Sequence, residues 1–148
     1  VINKCIKKES IPVYGDGKNI RDWIHVEDHI NGLLLAISLG KPGESYCIGN
    51  QNERSNLEIV NLICKYFQEN IKGIENYYAL IDFVKDRPGH DYRYSINSQK
   101  IQSKLGWEPL INFEEGIEKT IIWYNKNYDW CINALDRSGY SGQRIGTK

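Results

Sequence analysis

The chain has 148 residues, with 19 basic and 19 acidic side chains and a formal net charge of zero. That length suits one domain with a real hydrophobic core, and the balanced charge argues against a dedicated nucleic-acid binder, which carries a basic excess. No uncharged apolar run of about 18 residues occurs, so the sequence predicts no membrane-spanning helix.

The cysteines and the first residues predict where the protein resides and how it is organised. Four cysteines, at positions 5, 47, 64 and 131, are widely scattered without a Cys-x-x-Cys pair. This pattern favours reduced structural thiols in a cytoplasmic protein over disulfides or a zinc site. Residues 1–10 are typical of the end of a preceding helix, and the sequence contains no methionine. We therefore expect residues 1–148 to be a single domain cut from a longer protein.

Two short strands are the first predicted elements. Residues 11–14 are apolar, and Pro12 restricts them to a strand start or an edge because proline cannot donate to a ladder. A turn cluster at residues 15–19 leads back into an extended pattern at residues 20–24, which together predict a hairpin. Adjacent strand residues point to opposite faces, so Arg21 is free to face something other than Asp22.

A long helix is predicted over Val26–Leu39, with apolar residues at positions 26, 30, 33, 34 and 37. Gly40 stands at the expected C-cap, and a proline follows as a stop. His25 and His29 are four residues apart and could share a face. Without a His-Glu-x-x-His pattern, a solvated helix start explains them better than a metal pair.

A short strand at residues 45–48 and a second long helix come next. The apolar stripe at positions 57, 60, 63, 64 and 67 predicts the helix, and Ser55 or Asn56 would be its N-cap. A helix start also offers unpaired amides to an anion. Asn56 is therefore either a cap or a ligand contact, and its position alone favours the cap.

The remaining pattern predicts one extended segment, two helices and a tail. Residues 79–84 are extended, residues 97–105 form a short helix closed by Gly106, and Asn112 begins a long final helix with capping-box spacing. That helix reaches roughly residue 135. The Gly-rich tail, residues 136–148, is expected to be partly mobile.

The densest chemical signal is Asp-Arg-Pro-Gly-His-Asp-Tyr-Arg-Tyr at residues 86–94. Pro88 and Gly89 hold a turn of definite shape, and Arg87 and His90 flank it, where they could converge on one anionic group. A guanidinium presents a planar fork of donors suited to phosphate oxygens. A charged surface turn whose arginines pair with nearby aspartates explains the same residues equally well.

Several catalytic fingerprints are absent from the sequence. It has no Gly-x-Gly-x-x-Gly, no P-loop and no Gly-x-Ser-x-Gly. The predicted strands are too short and dispersed for a complete doubly wound sheet. We expect an α/β fold of α+β character, in which helices combine with short strands and a hairpin.

Five segments together resemble the extended short-chain dehydrogenase/reductase family, and the similarity covers nearly the whole chain. Ile-Arg-Asp-Trp at residues 20–23, Val-Glu-Asp-His at 26–29 and Leu-Gly-Trp-Glu-Pro at 105–109 are similar to that family in general. The stretch at residues 86–94 resembles the dTDP-glucose 4,6-dehydratases in particular, as does the ending at residues 140–146.

The resemblance implies a two-part enzyme of which this chain matches only the C-terminal, substrate-binding part. In such an enzyme an N-terminal Rossmann domain binds NAD and carries a Tyr-x-x-x-Lys pair. The intact dimer converts dTDP-glucose to dTDP-4-keto-6-deoxyglucose and water, by oxidation at C4, loss of water across C5 and C6, and hydride return. Tyr124, Lys126 and Tyr128 do not supply the pair, so we expect this chain alone to be inactive.

The resemblance also assigns roles to individual residues. Pro12, Val13 and Tyr14 resemble the strand against which the nucleotide lies. The resemblance also favours a ligand role for Asn56 and Arg87 over a structural one. The diphosphate and nucleotide contacts would be Arg21, Asn56, Arg87 and His90, with Asp86, Pro88 and Gly89 shaping the loop. Tyr92, Arg93, Tyr94 and Tyr140 are expected to be packing or surface residues.

Two alternatives stay open at this point. Another sugar-nucleotide enzyme, such as an epimerase or decarboxylase acting on UDP-sugars, shares the more general motifs. A non-catalytic nucleotide-binding module would keep the turn and its arginine without any turnover.

Overall fold

The computed structural model describes residues 1–71 and 73–139, which form a mixed α/β structure of six helices and four short strands. In chain order the elements are α1 (Ile2–Lys7), β1 (Ile11–Tyr14), β2 (Ile20–Asp22), α2 (Val26–Leu39), β3 (Glu53–Ser55), α3 (Asn56–Asn70), a 3-10 turn (Tyr77–Leu80), β4 (Ile81–Val84), α4 (Gln99–Leu105), α5 (Phe113–Lys126) and α6 (Tyr128–Ser138). The fold class predicted from the sequence is confirmed. None of these helices is both long and apolar enough to cross a membrane.

The predicted hairpin is wrong, although both of its strands exist. β1 pairs in parallel with β4, from Ile11 opposite Ile81 onwards, and β2 pairs antiparallel with β3. The turn after β1 is held by other bonds: the Gly17 carbonyl accepts from Leu57 N at 2.9 Å, and the Asn19 carbonyl accepts from Asn56 N at 3.0 Å. The start of α3 therefore holds the turn between β1 and β2, while β4 takes the place of the expected hairpin partner of β1.

β2 has a neighbour on its other side. Ile20 N donates to the Tyr92 carbonyl at 2.7 Å, and Tyr94 N donates to the Ile20 carbonyl at 3.0 Å. These bonds form an isolated parallel bridge between Ile20 and Arg93. The second half of the 86–94 stretch is therefore fixed against the strand that carries Arg21.

The hydrophobic core lies around α3. Its buried residues Ile59, Ile63, Cys64 and Phe67 pack against α1, β1, the 3-10 turn and α5. Each fully buried large apolar side chain stabilises the fold by roughly 1.5–3 kcal/mol. The periodic stripe predicted for this helix is the face that the core uses.

The cysteines of the described residues are all free thiols. Cys5, Cys64 and Cys131 are buried, whereas Cys47 is exposed. A hydrogen bond with Cys64 and burial raise the pKa of Cys5, so that this thiol stays protonated. Cys47 lies in residues 45–48, where the predicted strand is wrong: this segment has no regular secondary structure.

Helix α2 has the predicted bounds but buries the opposite side from its apolar stripe. Asp28 and Gly32, one turn apart, are its buried residues. The Asp28 carboxylate accepts from Leu110 N and Ile111 N, each at 3.0 Å, and the Asp28 carbonyl accepts from the Trp107 indole at 3.0 Å. A small, polar contact therefore anchors this helix.

Three helix ends differ from the sequence prediction. Gly40 caps α2 with φ −67°, in extended rather than left-handed conformation. The prediction of a single final helix is wrong, because Asn127 separates α5 from α6. The Asn127 side chain donates to the Trp123 carbonyl at 2.8 Å. Residues 136–138 of the expected tail belong to α6, and residues 140–148, with Tyr140 and the family-like ending, lie outside the described residues.

Candidate functional site

The turn formed by residues 86–91, called here the 86–91 turn, is closed on itself by Asp86. Its Oδ1 accepts from Arg87 N at 2.8 Å and contacts His90 Nδ1 at 2.8 Å. Gly89 adopts φ +67°, which a residue with a side chain rarely takes. The hydrogen bond with His90 is the main reason that the pKa of Asp86 lies below its usual range, so the carboxylate is charged at neutral pH.

Arg21 meets this turn from β2. Its Nη2 contacts His90 Nε2 at 3.0 Å and donates to the Asp91 carbonyl at 2.9 Å, and its Nη1 donates to the Ile20 carbonyl at 2.6 Å. The Tyr94 ring lies 4.6 Å from the guanidinium carbon, in cation–π geometry. We call Arg21, Asp86, His90, Asp91 and Tyr94 the Arg21 cluster.

Asp22 faces away from the Arg21 cluster, as the alternation along a strand predicts. Its carboxylate accepts from Asn52 N at 2.9 Å and Gln51 N at 3.2 Å. A local ion pair between Arg21 and Asp22 is therefore not formed, and the carboxylate instead secures the loop that leads into β3.

Arg87 differs from Arg21 in having no hydrogen-bond or ion-pair partner for its side chain among residues 1–71 and 73–139. Arg87 is exposed within the 86–91 turn. Arg87 therefore does not fit the alternative interpretation, in which the arginines of this stretch pair with nearby aspartates. Arg93 pairs instead with Glu53 through two bonds of 2.7 Å, which together with the Ser95 hydroxyl lower the pKa of Glu53 to about 2.

Asn56 is the first residue of α3 and not its cap. Ser55 is the N-cap: its Oγ accepts from Glu58 N at 3.2 Å, and Glu58 in turn accepts from Ser55 N at 2.7 Å. Interpreting Asn56 as the cap is therefore wrong. Its amide side chain has no partner within the part of the chain that the structure describes, and its backbone lies beside Asn19.

The strand at residues 11–14 delivers its side chains alternately to the core and outwards. Val13 is 3% exposed and packs under Gly17, so only its backbone is available to a ligand. Pro12 is exposed. Tyr14 is half-buried, with its ring centroid 6.2 Å from that of His90 in edge-on contact. Of these three residues, Tyr14 is the one that reaches the Arg21 cluster.

Two members of the Arg21 cluster were not singled out by the sequence. Asp91 contributes its carbonyl to Arg21 and to the Asn19 side chain, the latter at 3.3 Å. Tyr94, which was expected to be a packing or surface residue, lies over Arg21, and its hydroxyl donates to the Asp91 carboxylate. The alternation of Tyr92 and Tyr94 in an extended segment was the signal available, since it places both rings on one side of the strand.

The arrangement is suited to binding anionic oxygens. A guanidinium has five N–H donors, and Arg21 uses three of them for its carbonyl and imidazole partners. The remaining donors of Arg21, the exposed Arg87 and the amide of Asn56 could all serve a diphosphate.

A large concave region of the described residues lies elsewhere. This groove of about 780 Å³ is lined by mostly apolar residues of α5 and of residues 23–27, with Trp123 and Trp130 at its side. None of the predicted site residues lines it. Size alone therefore does not identify the site, which the convergence of polar groups around Arg21 identifies better.

The described chain does not offer a dinucleotide site. In such sites a glycine-rich turn joins a strand to a helix N-terminus. Here β1 leads through residues 15–19 into β2 and not into a helix, and the fingerprint is missing from the sequence. The residues present therefore do not fit NAD.

Comparison with protein families and curated sequences gives consistent matches. A family model described as GDP-mannose 4,6 dehydratase matches residues 1–120. The dTDP-glucose 4,6-dehydratase of Escherichia coli is 47% identical over 150 residues, which cover 99% of this chain and 41% of that protein. This chain thus spans about two fifths of the length of that relative.

Solved structures match the described fold as well. The dTDP-glucose 4,6-dehydratase of Bacillus anthracis in complex with NAD is 38% identical with a TM-score of 0.75, covering 87% of this chain and 39% of that one. The enzyme of the same name from Streptomyces venezuelae, with NAD and TYD bound, is 33% identical with a TM-score of 0.79, covering 87% of this chain and 38% of that one.

Proposed function

The chain belongs to the GDP-mannose 4,6-dehydratase family, and we propose that it is the substrate-binding part of a dTDP-glucose 4,6-dehydratase. In this role it holds the nucleotide diphosphate of dTDP-glucose while the chemistry takes place on the sugar. The observation that carries the proposal is the convergence of Arg21 and the 86–91 turn, which builds a cationic, donor-rich surface from residues about 70 positions apart.

The similarity to named proteins supports the choice of substrate. The match to the Escherichia coli protein extends over 99% of this chain, and therefore includes β2, the start of α3 and the 86–91 turn. The Streptomyces venezuelae structure of the same enzyme name contains NAD and TYD. A dTDP-sugar is accordingly the substrate that we propose for the whole protein.

Binding the nucleotide tightly serves catalysis at the sugar. Interactions with a non-reacting part of a substrate can orient the reacting part and so raise the rate. Arg87 would supply a charge-assisted pair of hydrogen bonds, Arg21 its remaining donors, and Asn56 a neutral amide. The strand of Pro12, Val13 and Tyr14 would lie along the nucleotide, with Pro88 and Gly89 holding the loop.

The remaining functions of the enzyme would come from outside this chain. NAD supplies oxidation and re-reduction of the sugar in the proposed reaction, and the residues described here do not fit it. We infer that NAD and the catalytic Tyr-x-x-x-Lys pair belong to another part of the whole protein, so that this chain alone forms no 4-keto-6-deoxy product. A homodimer of the whole enzyme follows from the same family resemblance.

A chimera tests the proposal. The matched segment of the Escherichia coli enzyme is replaced by this chain, and conversion of dTDP-glucose is followed by the absorbance of the 4-keto product. We expect turnover, and a loss of dTDP-glucose affinity of roughly tenfold or more when Arg87→Ala removes the charged donors. Lys85→Ala, which removes another exposed cation two residues away, is the matched control and should change affinity little.

A second measurement separates this proposal from its nearest alternative. An epimerase-like part would prefer uridine diphosphate over thymidine diphosphate in competition with the bound substrate. Preference for the thymidine nucleotide is expected. A folded chimera that binds NAD but not dTDP-glucose, or one that binds the uridine nucleotide more tightly, would refute the assignment.

A further inference from the structure

Asp86, His90 and Arg21 form a continuous line of side-chain contacts. The Asp86 carboxylate meets His90 Nδ1 at 2.8 Å, and His90 Nε2 meets Arg21 Nη2 at 3.0 Å. The His90 side chain is 8% exposed, and the Tyr14 ring packs edge-on against it. The imidazole is thus enclosed and held at both nitrogens.

The partners of the imidazole decide where its proton lies. A guanidinium can only donate hydrogen bonds, so Nε2 of His90 must accept from Arg21. A neutral imidazole has one donor and one acceptor nitrogen, so Nδ1 carries the proton and donates it to the Asp86 carboxylate. The opposite tautomer would bring two N–H groups together at Arg21 and would leave Asp86 without the imidazole donor.

The same geometry limits what His90 can do for a ligand. Both ring nitrogens are engaged within the protein, so the ring cannot simultaneously donate to a phosphate oxygen. His90 therefore supports Arg21 instead of contacting the diphosphate itself. This differs from the role that the family resemblance gave it.

The contact with His90 determines how Arg21 is oriented. The Asp91 carbonyl binds the same Nη2, the Ile20 carbonyl binds Nη1, and Tyr94 covers one face of the guanidinium. Two N–H donors are left over after these bonds, and the His90 contact is one of the bonds that set their direction. A group that fixes the tautomer of His90 thereby contributes to the orientation of the Arg21 guanidinium.

We propose that Asp86 is a positioning residue for Arg21 and that it acts through the tautomer of His90. By accepting from Nδ1, Asp86 makes Nε2 an acceptor, and the acceptor directs the free donors of Arg21 towards the diphosphate. The identity of the ligand rests on the proposed function, whereas the tautomer is a property of the chain without ligand. The two can therefore fail separately.

Nitrogen NMR of the histidine rings of this chain tests the tautomer without any ligand. The His90 signals are identified by their loss in His90→Gln. At neutral pH and above we expect Nδ1 protonated and Nε2 unprotonated in the unmodified chain. Asp86→Ala should shift His90 towards the other tautomer, while Asp86→Asn, which retains a carbonyl acceptor, should keep it. A protonated Nε2 in the unmodified chain would overturn the inference.

Titration with thymidine diphosphate tests the path from Asp86 to Arg21. Asp86→Ala should weaken binding by roughly tenfold, the effect of misplacing one charged hydrogen bond. A glutamine at position 90 can still accept from Arg21 but does not depend on Asp86, so Asp86→Ala should have no further effect in the His90→Gln background. Equal weakening in both backgrounds would show that Asp86 acts by another route.

A control variant and a binding measurement separate a failure of this proposal from a failure of the proposed function. Asp16→Ala, which removes an exposed carboxylate bound to Lys18 in the neighbouring turn, is the matched control and should leave both tautomer and affinity unchanged. If the unmodified chain does not bind thymidine diphosphate at millimolar concentration but shows the expected tautomer, the ligand assignment fails and the control of the His90 tautomer by Asp86 stands.

Discussion

Helices α2 and α3 have almost the same length and both carry an apolar stripe, yet they use it in opposite ways. The stripe of α3 is the centre of the core, with Phe67 1% exposed. The stripe of α2 faces outwards, from 45% exposure at Leu33 to 80% at Ile37. An amphipathic pattern therefore predicts a helix reliably, but it does not tell which face the rest of the described chain covers.

The difference has a local cause at the buried side of α2. Gly32 lies against Ile48 and Trp107, where a Cβ atom would come within 2.9 Å and 3.0 Å of their side-chain atoms. Asp28, one turn earlier, is tied to the loop before α5 by two backbone amides. A close backbone approach and a satisfied carboxylate hold α2, whereas apolar burial holds α3.

The largest effect should come from emptying the core at α3. Phe67→Ala removes a ring that lies 5.3 Å from that of Tyr77 and should lower the free energy of unfolding by about 3–5 kcal/mol. Urea denaturation followed by tryptophan fluorescence measures this loss. A cost below about 1 kcal/mol would mean that α3 is not the centre of the core.

An intermediate effect is expected where a hydrogen-bonded carboxylate anchors α2. Asp28→Asn leaves one of the two amides, Leu110 N or Ile111 N, facing an NH₂ group, which should cost about 1–3 kcal/mol. Glu27→Gln, on the exposed side of the same turn, is the matched control. Similar unfolding free energies for the two variants would contradict the anchoring role.

The free energy of unfolding should depend on pH through Glu53, which lies in β3, the strand that leads into α3. Arg93 and Ser95 lower the pKa of Glu53 from 4.5 to about 2. Because the folded pKa is depressed, the stabilisation is present above pH 4.5 and is lost as the pH falls towards 2. Glu53→Gln should therefore be less stable than the unmodified chain at pH 6, and the gap should narrow on acidification.

The control for that measurement is Glu69→Gln, which removes an exposed carboxylate 3.9 Å from Lys65 on the surface of α3. Its difference from the unmodified chain should stay small at every pH, as is usual for exposed pairs. A gap between Glu53→Gln and the unmodified chain that is constant with pH would exclude the Arg93 pair as its cause.

The smallest effect is expected on the exposed stripe of α2. Ile37→Ala and Leu34→Ala should each change the free energy of unfolding of this chain by no more than about 0.5 kcal/mol, because little apolar contact is lost and alanine favours the helix. Both variants should bind less of a dye that reports exposed apolar surface. A loss comparable to that of Phe67→Ala would show that the stripe is covered.

Much of the local structure could be predicted from the sequence. The bounds of α2, the capping of α5 by Asn112 and the left-handed Gly106 at the end of α4 follow from side-chain periodicity and backbone preferences within a few residues. The 86–91 turn was recognisable for the same reason, since Pro88 and Gly89 act on their own backbone.

The site was only partly predictable, because its contacts join distant parts of the chain. Arg21 was expected to face away from Asp22, and it does. Its partners, however, are the His90 ring and the Asp91 carbonyl. Tyr94 over Arg21 could not be chosen from spacing, because it depends on the pairing of β2 with residues 92–94. The Ser55 cap is local by contrast, since Ser55 and Glu58 have the spacing of a capping box.

The sequence by itself determined helices α2 and α3, the Asn112 cap of α5 and the turn around Gly89, since these depend on interactions within about one or two helical turns. Only the tertiary structure decided that β1 pairs with β4 instead of β2, that α2 turns its stripe outwards, and that His90 lies between Asp86 and Arg21. Strand partners and buried faces are set by competition among segments far apart in the chain, and no local pattern records which of them wins.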